Sequence, residues 1–242
     1  MHRVALLILG LGLFAAGLAA GETPPLDRGW HVVRPGDTLE GITAYYLGSP
    51  ARWRENWALN PGIKDPDLLH PGERLQVLVS PEHSRHAALV WRRARLVDAQ
   101  QPPRDWMSAE LGDLLVRRDG VRTGARSSAE LAFTDGSRIW MTENSLVFLR
   151  ATADAPRVAP SREVEIVSGR ADLELTAPAA RAAAVEVVMG PARASVRAAA
   201  GEGAQTRAER AGGDEAERAA LMVYHGEGEL AAGGAKVSLP AG

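Results

Sequence analysis

Hydrolysis of a glycan needs two carboxylates across a rigid cleft, one of them with a raised pKa, so the acids come first. Glu130, Asp135, Glu143 and Glu165 are available. Asp135, however, opens an Asp-Gly turn, and Glu163, Glu165, Asp172 and Glu174 alternate with apolar residues as the solvent face of a strand does. The six histidines show no His-x-x-x-His spacing, so no metal ligand set is read. Ser127, Ser128 and His225 lack the context of a nucleophile–base pair, and there is neither a Gly-x-Ser-x-Gly elbow nor a phosphate loop. Cysteine is absent, which excludes disulfides, thiolate metal sites, cysteine nucleophiles and a lipid-anchoring thioether. The chain reads as non-enzymatic, with no cofactor and no metal. Its chemistry must be binding.

Composition narrows the partners. The 242 residues carry 28 Lys plus Arg against 30 Asp plus Glu, a net charge of -2 that gives no electrostatic reason for a nucleic-acid partner. Hydrophobic residues at 45% and charged residues at 24% describe a folded protein. Aromatics are only 5%, and Trp30, Tyr45, Tyr46, Trp53 and Trp57 fall close together, so two composition regimes predict two domains. At the N-terminus, Met1-His2-Arg3 precedes an uncharged run from Val4 to Ala20, and Ala19-Ala20-Gly21 closes it. A basic start, an apolar core and small exit residues are the pattern of a secretory signal over residues 1–21. The mature protein is therefore expected to be periplasmic or secreted, with a membrane contact only where that segment stays uncleaved.

Residues 30–79 have the elements of a compact βααβ unit. Trp30-His31-Val32-Val33 is β-prone and ends at Pro35-Gly36. Asp37 is placed as a helix N-cap with Glu40 three residues on, and Leu39, Ile42 and Tyr46 recur at helical intervals. Gly48 suits the helix end, then Ser49-Pro50 starts a second helix that carries Trp53 and Trp57 on one face until Asn60-Pro61-Gly62 stops it. Leu75 to Val79 reads as the closing strand.

Three stretches of that unit, Val33-Arg34-Pro35-Gly36-Asp37-Thr38-Leu39, Asn60-Pro61 with Ile63, and Leu69-His70-Pro71-Gly72-Glu73-Arg74-Leu75, resemble the LysM module in order and spacing. The resemblance implies binding of N-acetylglucosamine-containing glycans, peptidoglycan above all, without catalysis. It places the groove between Gly36, Asp37, Thr38 and Leu39 on one loop and Asn60, Pro61, Gly62 and Ile63 on the other. An N-acetyl sugar needs backbone donors and acceptors for its amide and a small apolar contact for its methyl. Glycines 36 and 62 let the backbone come close, and Leu39 and Ile63 are the candidates for the apolar contact. One such module binds loosely, and a repeating glycan supplies avidity.

Residues 80–105, with Arg85, Arg92, Arg93 and Arg95 and a Gln100-Gln101-Pro102-Pro103 hinge, read as a solvated linker. From 106 to 242 alternation returns. Ala129–Phe133 and Ser137–Met141 flank Asp135-Gly136, a strong hairpin signal. Further strands are read at Ser145–Leu149, Glu163–Val167, Ala171–Leu175, Val185–Met189, Leu221–Tyr224 and Val237–Leu239. Residues 201–218, rich in Gly, Ala, Glu and Arg, read as a mobile insertion.

Gly112-Asp113, Val121-Arg122-Thr123-Gly124, Ser128-Ala129-Glu130-Leu131, Asp135-Gly136-Ser137, Asn144-Ser145 and Val167-Ser168-Gly169 resemble the FecR domain over residues 112–175. The resemblance implies an extracytoplasmic all-β domain, in some members a relay to a sigma-factor regulator. Here nothing before the hydrophobic segment resembles a cytoplasmic regulator, so direct regulation of a sigma factor is not expected. The fold class expected is thus a two-domain α+β chain, a small βααβ LysM module followed by an all-β FecR-like domain. The function expected is a peptidoglycan-binding envelope protein with its β-domain as sensor or scaffold. The alternative is a component of an envelope signalling complex that acts through a protein partner, its glycan binding vestigial.

Overall fold

The computed structural model describes residues 28–84, 87–151, 161–180, 182–211, 218–232 and 235–240. The secretory signal read at residues 1–21 lies outside them. In the first module, β1 (Arg28–Val32) and β2 (Arg74–Leu78) pair antiparallel, with Trp30 opposite Gln76. Between them lie α1 (Leu39–Leu47), a 3-10 turn (Pro50–Arg52) and α2 (Trp53–Ala58). Leu39, Ile42 and Tyr46 of α1 are buried against Leu75 and Val77 of β2, as their helical spacing requires. The cap differs from the expectation. Thr38, not Asp37, is the N-cap, its hydroxyl accepting the Gly41 N–H at 3.0 Å. Asp37 is drawn inward by buried partners instead.

The rest of the chain is a β-domain. After a short helix α3 (Pro81–Ser84), the strands are β3 (Ala88–Ala94), β4 (Val97–Gln100), β5 (Met107–Ser108), β6 (Leu114–Leu115), β7 (Gly120–Thr123), β8 (Ser128–Phe133), β9 (Arg138–Met141), β10 (Leu146–Ala151) and β11 (Ser161–Thr176). They continue with β12 (Ala183–Met189), β13 (Ala192–Ala198), β14 (Gly203–Ala211), β15 (Arg218–His225), β16 (Glu227–Ala232) and β17 (Ala235–Pro240). One sheet runs in the order β5-β4-β7-β10-β11-β12-β13-β16-β17, and a second runs β6-β3-β8-β9-β11-β14-β15. Alternate residues of both, among them Val90, Leu131, Ile139, Val147, Ile166, Leu173, Val187 and Val196, fill one apolar core.

Strand β11 belongs to both sheets. Its first half pairs with β10 and, in parallel, with β12. Residues 169–176 pair with β14, and 171–174 also with β9. The switch falls at Gly169, where φ is +82°. The sequence had pointed to two strands separated by a glycine turn, whereas the glycine bends one continuous strand from sheet to sheet.

Three further expectations are corrected. Residues 80–105 are not a linker: β3 and β4 lie within them, and β3 is zipped to β8 from Ala88↔Phe133 to Ala94↔Ser128. Their arginines are taken up by acids of the same domain, Arg92 by Glu130 and Arg93 by Glu110. The hinge at Gln100 to Pro103 is no hinge, because Gln101 is buried and hydrogen-bonded. The insertion expected at 201–218 is mostly β14, where small alanines alternate inward against β11 and β15. Residues 212–217 are outside those described.

A Cβ at Gly169 would stand 2.5 Å from the Ser145 Cα and 2.8 Å from the Asn144 carbonyl oxygen, neither of which can swing away. Gly169→Ala is expected to lower stability by about 2–4 kcal/mol, read as a fall in the urea midpoint. Gly62→Ala, where an added Cβ meets nothing within 4 Å, is expected to leave the unfolding free energy within about 0.5 kcal/mol of wild type.

Candidate glycan-binding groove and the seam behind it

The first groove loop is built around a buried carboxylate. Asp37 folds back so that one oxygen accepts the Arg34 N–H at 2.9 Å and a His31 Nε2 contact at 2.7 Å. Its other oxygen is ion-paired with Arg104 of the β-domain. Burial pushes this carboxyl upward, but the His31 hydrogen bond, the Arg34 amide and the charges of His31 and Arg104 win and hold it below the ordinary value. The chain reverses through Gly36 at φ +85°, leaving Gly36 and Thr38 at the surface.

The second loop is pinned from beneath by amides. Asn60 Nδ2 donates to the Asn56 and Gln76 carbonyls at 2.7 and 2.8 Å, and its Oδ1 accepts the Gln76 N–H at 2.8 Å. Asn56, fully buried, donates to the Thr43 hydroxyl and accepts the Leu78 N–H. Trp57 Nε1 donates to the Ile63 carbonyl at 2.9 Å, fixing the far end of the loop. Trp53 and Trp57 stack at 5.8 Å and pack on the core.

The eight residues placed in the groove thus divide. Gly36, Thr38, Pro61 and Gly62 are exposed, and Ile63 is half-buried. Asp37 and Asn60 present no free carboxylate or amide to solvent and act as loop supports. Leu39 is in the core at 2% exposure, so it is not at the surface to meet a sugar methyl, a correction to the part given it above. Asn56 escaped the sequence reading, because a polar residue inside a short helix carries no local mark of what it will brace.

Behind the first loop the module is joined to the β-domain by a buried polar seam. The Tyr46 hydroxyl lies 3.0 Å from His31 Nδ1, accepts from Gln101 Nε2 at 3.2 Å and faces the Leu114 carbonyl at 3.4 Å. Arg34 and Asp113, both buried, approach to 3.7 Å. The Tyr45 hydroxyl donates to Asp119, whose other oxygen accepts the Val116 N–H at 2.8 Å. Gly29 lies so close to Leu114 that a Cβ would stand 2.5 Å from its Cδ2. Leu114, Val116 and Ala87 of the β-domain belong to the same apolar cluster as Leu39 and Tyr46.

Among the described residues there is no grouping of three His, Asp or Glu that could hold a metal ion, and no helix is long and apolar enough to cross a membrane. The exposed loops can offer backbone groups and small apolar contacts to a neutral ligand.

The βααβ unit is a LysM domain, matched by that family model over residues 31–78, and the β-domain is a FecR domain, matched by the FecR protein model over residues 119–226. The chain therefore carries a LysM domain followed by a FecR domain, two families of binding and regulatory modules rather than enzymes. No curated protein matches it. Two crystal structures of a protein from Parabacteroides distasonis, described as a candidate anti-sigma factor, are similar at 16% and 14% identity with a TM-score of 0.38. Each alignment takes in 50% of this chain and 51% of the other, so the chain spans about half the length of the solved structures it matches.

Burial pushes the Asp119 carboxyl up to about 7 from 3.8, against the opposing pull of the Tyr45 hydroxyl, the Val116 amide and the charges of Arg34 and Arg104. Between those two values the folded protein keeps a proton that the unfolded chain has released. Its stabilising share is complete below pH 3.8 and is lost as pH rises through about 7. Asp113, raised by burial, adds to the same slope, while the lowered Asp37 adds stability that disappears only in acid. Asp119→Asn is expected to flatten the decline in urea midpoint between pH 4 and pH 8. A wild-type midpoint already flat over that range, or an unchanged slope in the variant, contradicts the assignment.

Proposed function

We propose that this chain is a non-enzymatic peptidoglycan-binding protein of the cell envelope, exported to the periplasm or secreted, whose FecR domain serves as sensor or scaffold. A LysM domain implies glycan binding and a FecR domain implies a part in envelope signalling. The observation that carries the finer reading is the build of the two loops. Gly36, Thr38, Pro61 and Gly62 stand at the surface, while buried Asp37 and Asn60 hold the backbone beneath them. A backbone fixed before the ligand arrives loses little entropy on binding an N-acetyl group, and so makes weak single contacts worthwhile along a repeating glycan.

Purified protein mixed with insoluble peptidoglycan is expected to sediment with it. Gly62→Arg, which adds a long side chain at the groove without meeting any atom within 4 Å at its Cβ, is expected to cut the bound fraction at least tenfold with an unchanged circular dichroism spectrum. If folded wild type stays in solution, peptidoglycan binding is refuted, and the function rests with an envelope protein partner of the FecR domain.

A further inference from the structure

A second recessed site lies away from the two groove loops, where the modules meet. The LysM domain contributes Val32, Gly72 and Arg74, and the β-domain contributes Arg93, Glu110 and Leu111, around a cavity of about 480 Å³. That size is within the roughly 300–1,000 Å³ of small-ligand sites, which favour module interfaces. The two walls are held in place by backbone: Trp30 bridges in parallel to Asp113, and the Gly112 N–H donates to the Val90 carbonyl at 2.9 Å.

The charges of the lining are unequal. Arg93 is paired with Glu110 at 2.9 Å. Arg74 has no carboxylate partner among the described residues, and its guanidinium lies 5.1 Å over the Trp30 ring and beside Gly112. The indole steers this cation without neutralising it. Since Arg74 covers the Trp30 face, a sugar ring does not stack there. Glu110, already paired with Arg93, disfavours a closely spaced run of anions without balancing cations, which argues against phosphate-rich polymers. What remains is a zwitterionic ligand with a carboxylate for Arg74, an N–H donor for the half-exposed Glu110, and an alkyl part for Val32 and Leu111.

We infer that this cavity binds a short peptide through its C-terminal carboxylate, with Arg74 as the anchoring residue. An amino-acid chain combines those three groups within a few bonds, and a planar guanidinium takes a carboxylate through two parallel hydrogen bonds. On the peptidoglycan reading given above, and resting on it for this last step, the peptide is the stem that branches from the wall glycan. The chain then reads glycan in one site and peptide in the other.

The test is titration of the isolated stem tetrapeptide L-Ala-γ-D-Glu-meso-diaminopimelate-D-Ala into purified full-length protein, followed by NMR. Arg74→Gln is expected to weaken binding at least tenfold, Arg74→Lys to recover part of it, and Gly62→Arg to leave it unchanged. Because Gly62→Arg reports on the glycan groove alone, loss of wall sedimentation and loss of peptide binding are separate results. The inference is overturned if wild type shows no saturable binding at millimolar peptide. It is also overturned if Arg74→Gln binds like wild type, if the C-terminally amidated peptide binds as well as the free acid, or if inorganic phosphate displaces the peptide at equal concentration.

Discussion

The structure depends on a carboxylate that is kept charged out of water. Asp37 sits at the turn into α1, and its side chain is fully buried between His31, the Arg34 amide and Arg104. An unpaired charge there would be costly, so the loop, the strand carrying His31 and the 101–104 segment that precedes the FecR match are coupled through Asp37. The aromatic His31–Tyr46 contact extends this arrangement to Gln101 and Leu114. A LysM unit of about fifty residues has little core of its own. Here its apolar cluster is completed by Ala87, Leu89, Leu114 and Val116 from the β-domain.

That joint turns a bead on a string into part of a larger body. A flexible tether would let the groove face any direction, while this seam fixes the first groove loop relative to β6 and β7. The FecR domain is itself closed by one strand. Because β11 lies in both sheets, its inward residues Val164, Ile166, Ala171, Leu173 and Leu175 tie the two faces of the core together. The bend at Gly169, with φ +82°, is one position where that shared strand depends on backbone geometry.

Local signals were legible in the sequence and non-local ones were not. The Asp135-Gly136 hairpin announces itself because turn chemistry and alternation sit within a dozen residues, and β8 and β9 form there. The helix face of Leu39, Ile42 and Tyr46 is equally local. Strand β3 escaped because its arginines look like a solvated connector until Glu130 and Glu110, from distant segments, arrive to pair with them. Strand β14 escaped because Ala204, Thr206 and Ala208 are too small or polar to signal a core face, yet small side chains are what lets it lie against β11. The Thr38 cap was misread for a related reason. Asp37 has the better side chain for capping, but the pull of His31 and Arg104, one of them 67 residues away, outweighs the local preference.

For the two candidate loops, the sequence marked residues that lie close together in the fold without separating those at the surface from those that support it. A motif residue can serve either purpose, and here burial tells them apart. Asn60 and Asp37 spend their polar groups on backbone and on buried partners, which leaves the loops' outer backbone and small side chains as the surface. A site of this kind is stiff by construction. Arg74, without a carboxylate partner among the described residues, stands with its guanidinium over Trp30 at the edge of the interface with the β-domain, where it leaves a positive charge in a recess that both modules line.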